Sequence, residues 1–263
     1  MPTEQAISDL VPPLVDHLRA ADPDGRWFFQ RTPDETERTF GLCFHSTEPV
    51  LGELEHLVEV ESAKRDWAVG VRRADSAPTQ YPDGQCAEFA EDLSSASSDF
   101  ALDLLRMGDL GDSDEQLFTA VRHLCCLVGM TPEADRHSFL FSCWEQAASG
   151  LDPAQRIELG RRADEDAVRI VRDAAGTPDE AQTRLWQHYL HAVRAITTEC
   201  RRHEDLPTNY LLFDHAHLTH SRLGIPPATE ALAARVTRTA LRDGDSPVDP
   251  DLMVRTTTSG VSV

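Results

Sequence analysis

From Cys86 to Leu241 the chain is a succession of amphipathic segments, each opened by a cap-like residue or closed by a glycine. This pattern constrains the fold more than anything else in the sequence. "CAEFAEDLSSASSDFALDLLRM" (Cys86–Met107) carries Phe89, Leu93, Phe100 and Leu104 on one stripe, with a serine-rich centre able to break it. "DEQLFTAVRHLCCLVGM" reads as a helix closed by Gly129. Thr131-Pro132, Asp152-Pro153 and Thr177-Pro178 each pair a capping residue with a proline suited to the first turn, so each marks a new helix. A last helix follows Gly224-Ile225-Pro226-Pro227.

The first third reads differently. "SDLVPPLVDHLRAA" (Ser8–Ala21) suggests a short helix interrupted at Pro12-Pro13. "RWFFQRT" and "RTFGLCFH" are aromatic and β-rich on either side of a polar turn, which predicts a strand pair. "EPVLGELEHLVEVESAK" returns to helical spacing, and "RDWAVGVRR" reads as a further strand. The expected architecture is α+β: a small N-terminal β-sheet layer packed with a larger, mainly helical part, as one domain over residues 1–263.

Charge and cysteines narrow the function. Lys and Arg total 25 against 45 Asp and Glu, a formal net charge of −20. Such a surface repels a phosphate backbone, so no nucleic acid is expected as partner. No apolar run approaches the ~18 residues of a membrane span, so no membrane partner is expected, and the acidic N-terminus does not look like a signal peptide. The six cysteines lack paired metal-ligand spacing and read as reduced thiols of a cytoplasmic protein. Cys125-Cys126 reads as helix packing.

The densest chemistry lies in "HAHLTHSRLGIPPATEALAARV", with His215, His217 and His220 beside Ser221 and Arg222. The three histidines cannot all share one helical face, although His217 and His220 can. No thiolate or carboxylate stands at ligand spacing, so neither a metal nor another cofactor is expected. Packing histidines remain an alternative to functional ones. Arg222 is open to a structural bridge with Asp214 or Glu230. Tyr81 in "QYPDG" is by default a turn aromatic, and Ser94–Ser98 by default solvated or capping residues.

Four stretches in order resemble a known family. These are "RWFFQRTPDETERTFGLCFH", "TQYPDGQCAEFAEDLSSASSDFALDLL", "AVRHLCCLVGMTPEADRHSFLF" and "HLTHSRLGIPPATEALAARVTRTAL". Together, over about Asp16 to Leu241, the chain resembles the C-terminal elimination domain of lanthipeptide dehydratases, in the stand-alone form of thiopeptide-type bacteriocin biosynthesis. The resemblance places His217 on the family's catalytic histidine, Arg222 on the arginine of its closing motif with Ser221 beside it, and Arg31 on the first-strand arginine. The strand arginines that bind the leaving carboxylate in eliminases fall on Gly41 and Cys43, and the Glu and Arg before the family's turn fall in "PTQY", with Gln80 beside Tyr81. Most of the anion clamp is therefore missing, whereas the histidine is kept.

The resemblance implies a maturation enzyme for a leader-bearing precursor peptide. A formal [4+2] cycloaddition of dehydroalanines, as in pyridine synthases, needs no glutamate clamp and is the first expectation. Glutamate elimination from glutamylated Ser or Thr is the alternative, and a non-catalytic precursor-binding partner of a separate dehydratase is a third. Candidate catalytic residues are His217, Arg222, Tyr81 and Ser221, with Arg31 and Tyr210 as substrate-binding candidates. His217 is expected in a cleft between the helical part and the sheet, with Arg222 reaching the same cleft if the helix ends near Ser221.

Overall fold

The computed structural model describes residues 3–31, 40–65, 67–73, 81, 84–108, 110–176, 179–203 and 207–242. Helix α1 (Thr3–Ala21) leads into the antiparallel hairpin of β1 (Arg26–Arg31) and β2 (Phe40–His45), then α2 (Glu48–Ala63). Helices α3 (Gln85–Met107), α4 (Ser113–Met130), α5 (Arg136–Ala148), α6 (Pro153–Ala174), α7 (Glu180–Cys200), α8 (Thr208–Arg222) and α9 (Pro227–Arg242) make up the rest. The α+β expectation holds, with the sheet reduced to two strands among the described residues. Register pairs Trp27 with Phe44 and Phe29 with Leu42.

Local chemistry explains most boundaries. The Asp112 carboxylate caps α4 by accepting from Asp114 N and Glu115 N. Asp152 caps α6 with Pro153 in the first turn, as the sequence predicts, and Gln155 completes a capping box. Asp179 caps α7; the Thr177-Pro178 start expected there lies outside the described residues. Helix α9 packs among α4, α5 and α6, and its Ala231, Ala233 and Ala234 are fully buried. Their small side chains let the neighbouring backbones approach closely. Helix α3 lies against β1, α7 and α8, with Phe100 stacked on Tyr189 at 4.2 Å between ring centroids.

Several local expectations are corrected. α1 runs unbroken through Pro12 and Pro13, because its buried stripe of Ile7, Val11, Leu14, Val15 and Leu18 outweighs the lost backbone bonds. The stretch read as a third strand has no regular structure over residues 67–73, where Val69 and Val71 are exposed. A strand needs a pairing edge, and among the described residues none pairs with this stretch. α4 continues past Gly129 to Met130. Thr131 does not cap α5: its hydroxyl donates back to Leu127 O, and a 3-10 turn at Glu133–Asp135 precedes α5. The serine-rich centre of α3 does not break the helix, because Ser97 and Ser98 are fully buried and hydrogen-bonded to other elements. This overturns the solvated reading of that stretch.

Candidate functional site

Helix α8 carries two distinct polar faces. One face presents Arg222. Its side chain is 1% exposed, and its Nε donates to Phe29 O at 2.7 Å, while Nη1 donates to Ser97 Oγ at 3.0 Å. Ser97 Oγ also meets Thr219 Oγ1 at 2.8 Å, and Ser98 Oγ accepts from Phe29 N at 3.1 Å. Arg222 therefore ties α8 to β1 and α3. Burial, only partly opposed by Tyr189, pushes its guanidinium down to about 9, an unusual state for arginine. Arg31 docks on the same end of α8, its Nε donating to Arg222 O at 2.9 Å. Gly224 turns there at φ +73°, and a Cβ at that position would stand 3.2 Å from the Arg31 guanidinium. Glycine is required both by the backbone and by that close approach.

The other face presents Tyr210, Asp214 and His217, spaced at i, i+4 and i+7. His217 Nδ1 lies 3.0 Å from Glu230 Oε2 on α9, and its side chain is 36% exposed. No protein group among the described residues hydrogen-bonds its Nε2. Glu230 is nearly buried, with its other oxygen 3.1 Å from His220 Nδ1. Tyr81 donates to Asp214 Oδ2 at 2.5 Å, and its ring stands edge-on to Tyr210 at 6.1 Å.

The electrostatics follow from these contacts. The hydrogen bond to Glu230 raises the His217 imidazole above its usual range against the effect of burial, and the charges of Glu230 and Asp214 add to it. Burial pushes the Glu230 carboxyl upward, yet the contacts with His217 and His220 win and hold it below the usual range. Burial raises Asp214, opposed by Tyr81 and His217. Burial, then the hydrogen bond to Asp214, drives the Tyr81 phenol well above its usual value, so it stays a neutral donor. A carboxylate that orients a histidine and leaves its second nitrogen open is the arrangement of a general base.

The structure thus groups Tyr81, Tyr210 and His217 with Asp214 and Glu230. It separates Arg222, which points into the interior, and the expectation that Arg222 shares a cleft with His217 is corrected. It is Arg222 that faces the sheet, because α8 stays helical through Arg222 and carries that side chain round to β1. Ser221 is half-buried, and its hydroxyl makes no hydrogen bond among the described residues. The bridge considered between Arg222 and Asp214 or Glu230 does not form. Both acids serve histidine and tyrosine instead. Asp214 was legible as an i, i+3 neighbour of His217. The pairing of His217 with Glu230 spans the Gly224 turn and had no periodic signal. Neither did His123 or Tyr189, which lie buried behind this site.

The lantibiotic biosynthesis dehydratase C-terminal family matches residues 1–241. The chain belongs to this family. A search of curated proteins finds no match. Membership associates this lantibiotic dehydratase C-terminal protein with maturation of ribosomally synthesised, modified peptides and supports an enzymatic role. Among its described residues, no helix is long and apolar enough to cross a membrane.

Proposed function

We propose that this protein acts on a leader-bearing precursor peptide, with His217 moving protons while two dehydroalanines join in a formal [4+2] cycloaddition. The observation that carries this reading is the His217–Glu230 pair with Nε2 open beside Tyr81–Asp214. His217 Nε2 takes the proton of a backbone amide and returns it to the adjoining carbonyl oxygen, which converts one dehydroalanine into a 2-azadiene. Two C–C bonds then form with the second alkene, chiefly because the site holds the partners together. The imidazole removes a ring proton as the hydroxyl leaves, and the imidazolium protonates it, so water departs and His217 returns to its starting state. Glu230 stabilises the transient imidazolium. Tyr81 and Tyr210 offer aromatic surface and a phenolic hydroxyl to the peptide.

Glutamate elimination needs cationic donors for the departing carboxylate. No arginine or lysine pairs with His217, Asp214 or Glu230 among the described residues, and two carboxylates stand there instead. That environment favours cycloaddition over glutamate release at this site. The test is incubation of the purified chain with a leader-bearing precursor carrying two dehydroalanines, and separately with one carrying glutamylated Ser or Thr. Mass spectrometry should show loss of one water with ring formation from the first and no glutamate loss from the second. Glutamate loss alone, or no change in either, overturns the reading.

A further inference from the structure

Behind His217 runs a chain of buried polar groups that no other part of the fold explains. Glu230 Oε1 lies 3.1 Å from His220 Nδ1. His220 Nε2 lies 3.1 Å from His123 Nδ1. His123 Nε2 is 2.7 Å from the Tyr189 hydroxyl, which is 2.7 Å from His215 Nε2. His123 and His220 are fully buried, His215 and Tyr189 nearly so. The chain links α8, α4, α7 and α9 through the middle of the helical part.

Its polarity follows from one end. A carboxylate only accepts, so an N–H on His220 Nδ1 is the favoured neighbour of Glu230 at 3.1 Å, although the two make no aligned hydrogen bond. With its N–H on Nδ1, His220 presents the Nε2 lone pair, which His123 meets with Nδ1–H. His123 Nε2 accepts from Tyr189 O–H, and the Tyr189 oxygen accepts from His215 Nε2–H. The chain ends on a lone pair at His215 Nδ1, an atom with no hydrogen-bond partner among the described residues. An unpaired acceptor is better tolerated in a protein interior than an unpaired N–H, so the assignment is self-consistent. Burial holds His123 well below its usual range, and burial with the Arg222 charge nearby holds His215 down at about 3, so both are neutral at ordinary pH.

We infer that Glu230 and the chain His220–His123–Tyr189–His215 are positioning residues that fix His217 with its proton on Nδ1 and its lone pair on Nε2. His220 occupies one Glu230 oxygen and leaves the other for His217. The interior histidines and tyrosine hold the His220 ring in the one tautomer that can do so. This deepens the proposed role of His217 and rests on it for the catalytic consequence. The tautomer pattern stands independently of which reaction is run.

The groups that face His217 and its partner are Asp214 on the same helix, Tyr81 through Asp214, His220, and Cys143 on α5, which feels the Glu230 charge. Nitrogen-15 histidine labelling of the full chain reads tautomers directly, with single histidine substitutions assigning the resonances. At neutral pH, His123 and His220 should carry the proton on Nδ1 and His215 on Nε2. An Nε2–H tautomer or an imidazolium at His123 or His220 overturns the relay. In Glu230→Gln the His217 titration midpoint should fall by about one pH unit, the usual effect of removing an adjacent opposite charge. Tyr189→Phe, which keeps the ring, should disturb the His123 tautomer and shift the His217 midpoint. A Tyr189→Phe protein that is less stable but leaves both signals unmoved would reduce the chain to core packing. Unchanged tautomers together with failed turnover on every precursor would sink the proposed reaction and leave the positioning network in place.

Discussion

Arg222 and His217 stand five residues apart on one helix and live under opposite conditions. Arg222 is sealed between α8, β1 and α3, with fixed partners on two of its nitrogens and no access to solvent. His217 is held on one nitrogen by Glu230 and open on the other. A cation buried on a backbone carbonyl and a serine is a strut. A ring oriented by a carboxylate, with its other nitrogen open, suits the proton-moving role proposed for it. Both residues belong to the same sequence motif, so motif membership alone does not separate them; the direction of the side chain does.

Substitutions at the two ends should separate in kind. Arg222→Ala leaves a cavity and strips donors from Phe29 O and Ser97, and should cost roughly 3 kcal/mol of stability in denaturant unfolding. A change below about 1 kcal/mol would show that the strut is dispensable. His217→Ala should leave stability nearly untouched and lower turnover by about a hundredfold, the usual scale for a general acid–base group. Measured on the dehydroalanine precursor, near-normal turnover in His217→Ala would move His217 to the structural side of the comparison.

The two sets of histidines should also answer pH in opposite directions. His215 and His123 titrate well below their unfolded value, so the unfolded chain binds more protons in acid. Their contribution to stability is intact above about pH 6.5 and is lost as pH falls from there toward about 3. His217 is raised, so its contribution is complete below about 6.5 and fades as pH climbs through its higher folded value. The buried pair is the larger effect, and thermal unfolding should show a steep acid limb and only a shallow loss on the alkaline side. Equal limbs would contradict the neutral state of the buried chain.

Smaller changes sharpen the boundary of the site. Tyr81→Phe removes the donor to Asp214 but keeps the aromatic contact with Tyr210, and should reduce turnover by about tenfold, toward the lower range for a single polar group. Ser221→Ala should change stability by no more than about 0.5 kcal/mol, as expected for a residue without a fixed partner. A loss of turnover of about tenfold or more in Ser221→Ala, with stability unchanged, would support the catalytic role considered for Ser221.

Much of this was legible before any coordinates. The helical stretches, the Asp152-Pro153 helix start and the hairpin around Trp27 and Phe29 follow from local patterns, whereas His217 was singled out only by the family resemblance. Helix periodicity, capping and strand alternation are encoded in near neighbours along the chain. The third strand failed at Val69 because a strand exists only with a partner edge. The α1 break failed at Pro12 because tertiary burial overrode a local rule. The serines of α3 were misread because their hydroxyls serve β1 and α8, more than 60 residues away.

The sequence by itself determined an acidic, mainly helical α+β chain and a motif that names a histidine. Only the tertiary structure decided which carboxylate holds that histidine, which arginine turns inward, and which buried residues stand behind it. The reason is geometric. Glu230 meets His217 across a glycine turn, and His123 and Tyr189 join His215 and His220 across separate helices. A side chain's protonation state and hydrogen-bond partners are set by what surrounds it in space, and spacing along the chain does not carry that information.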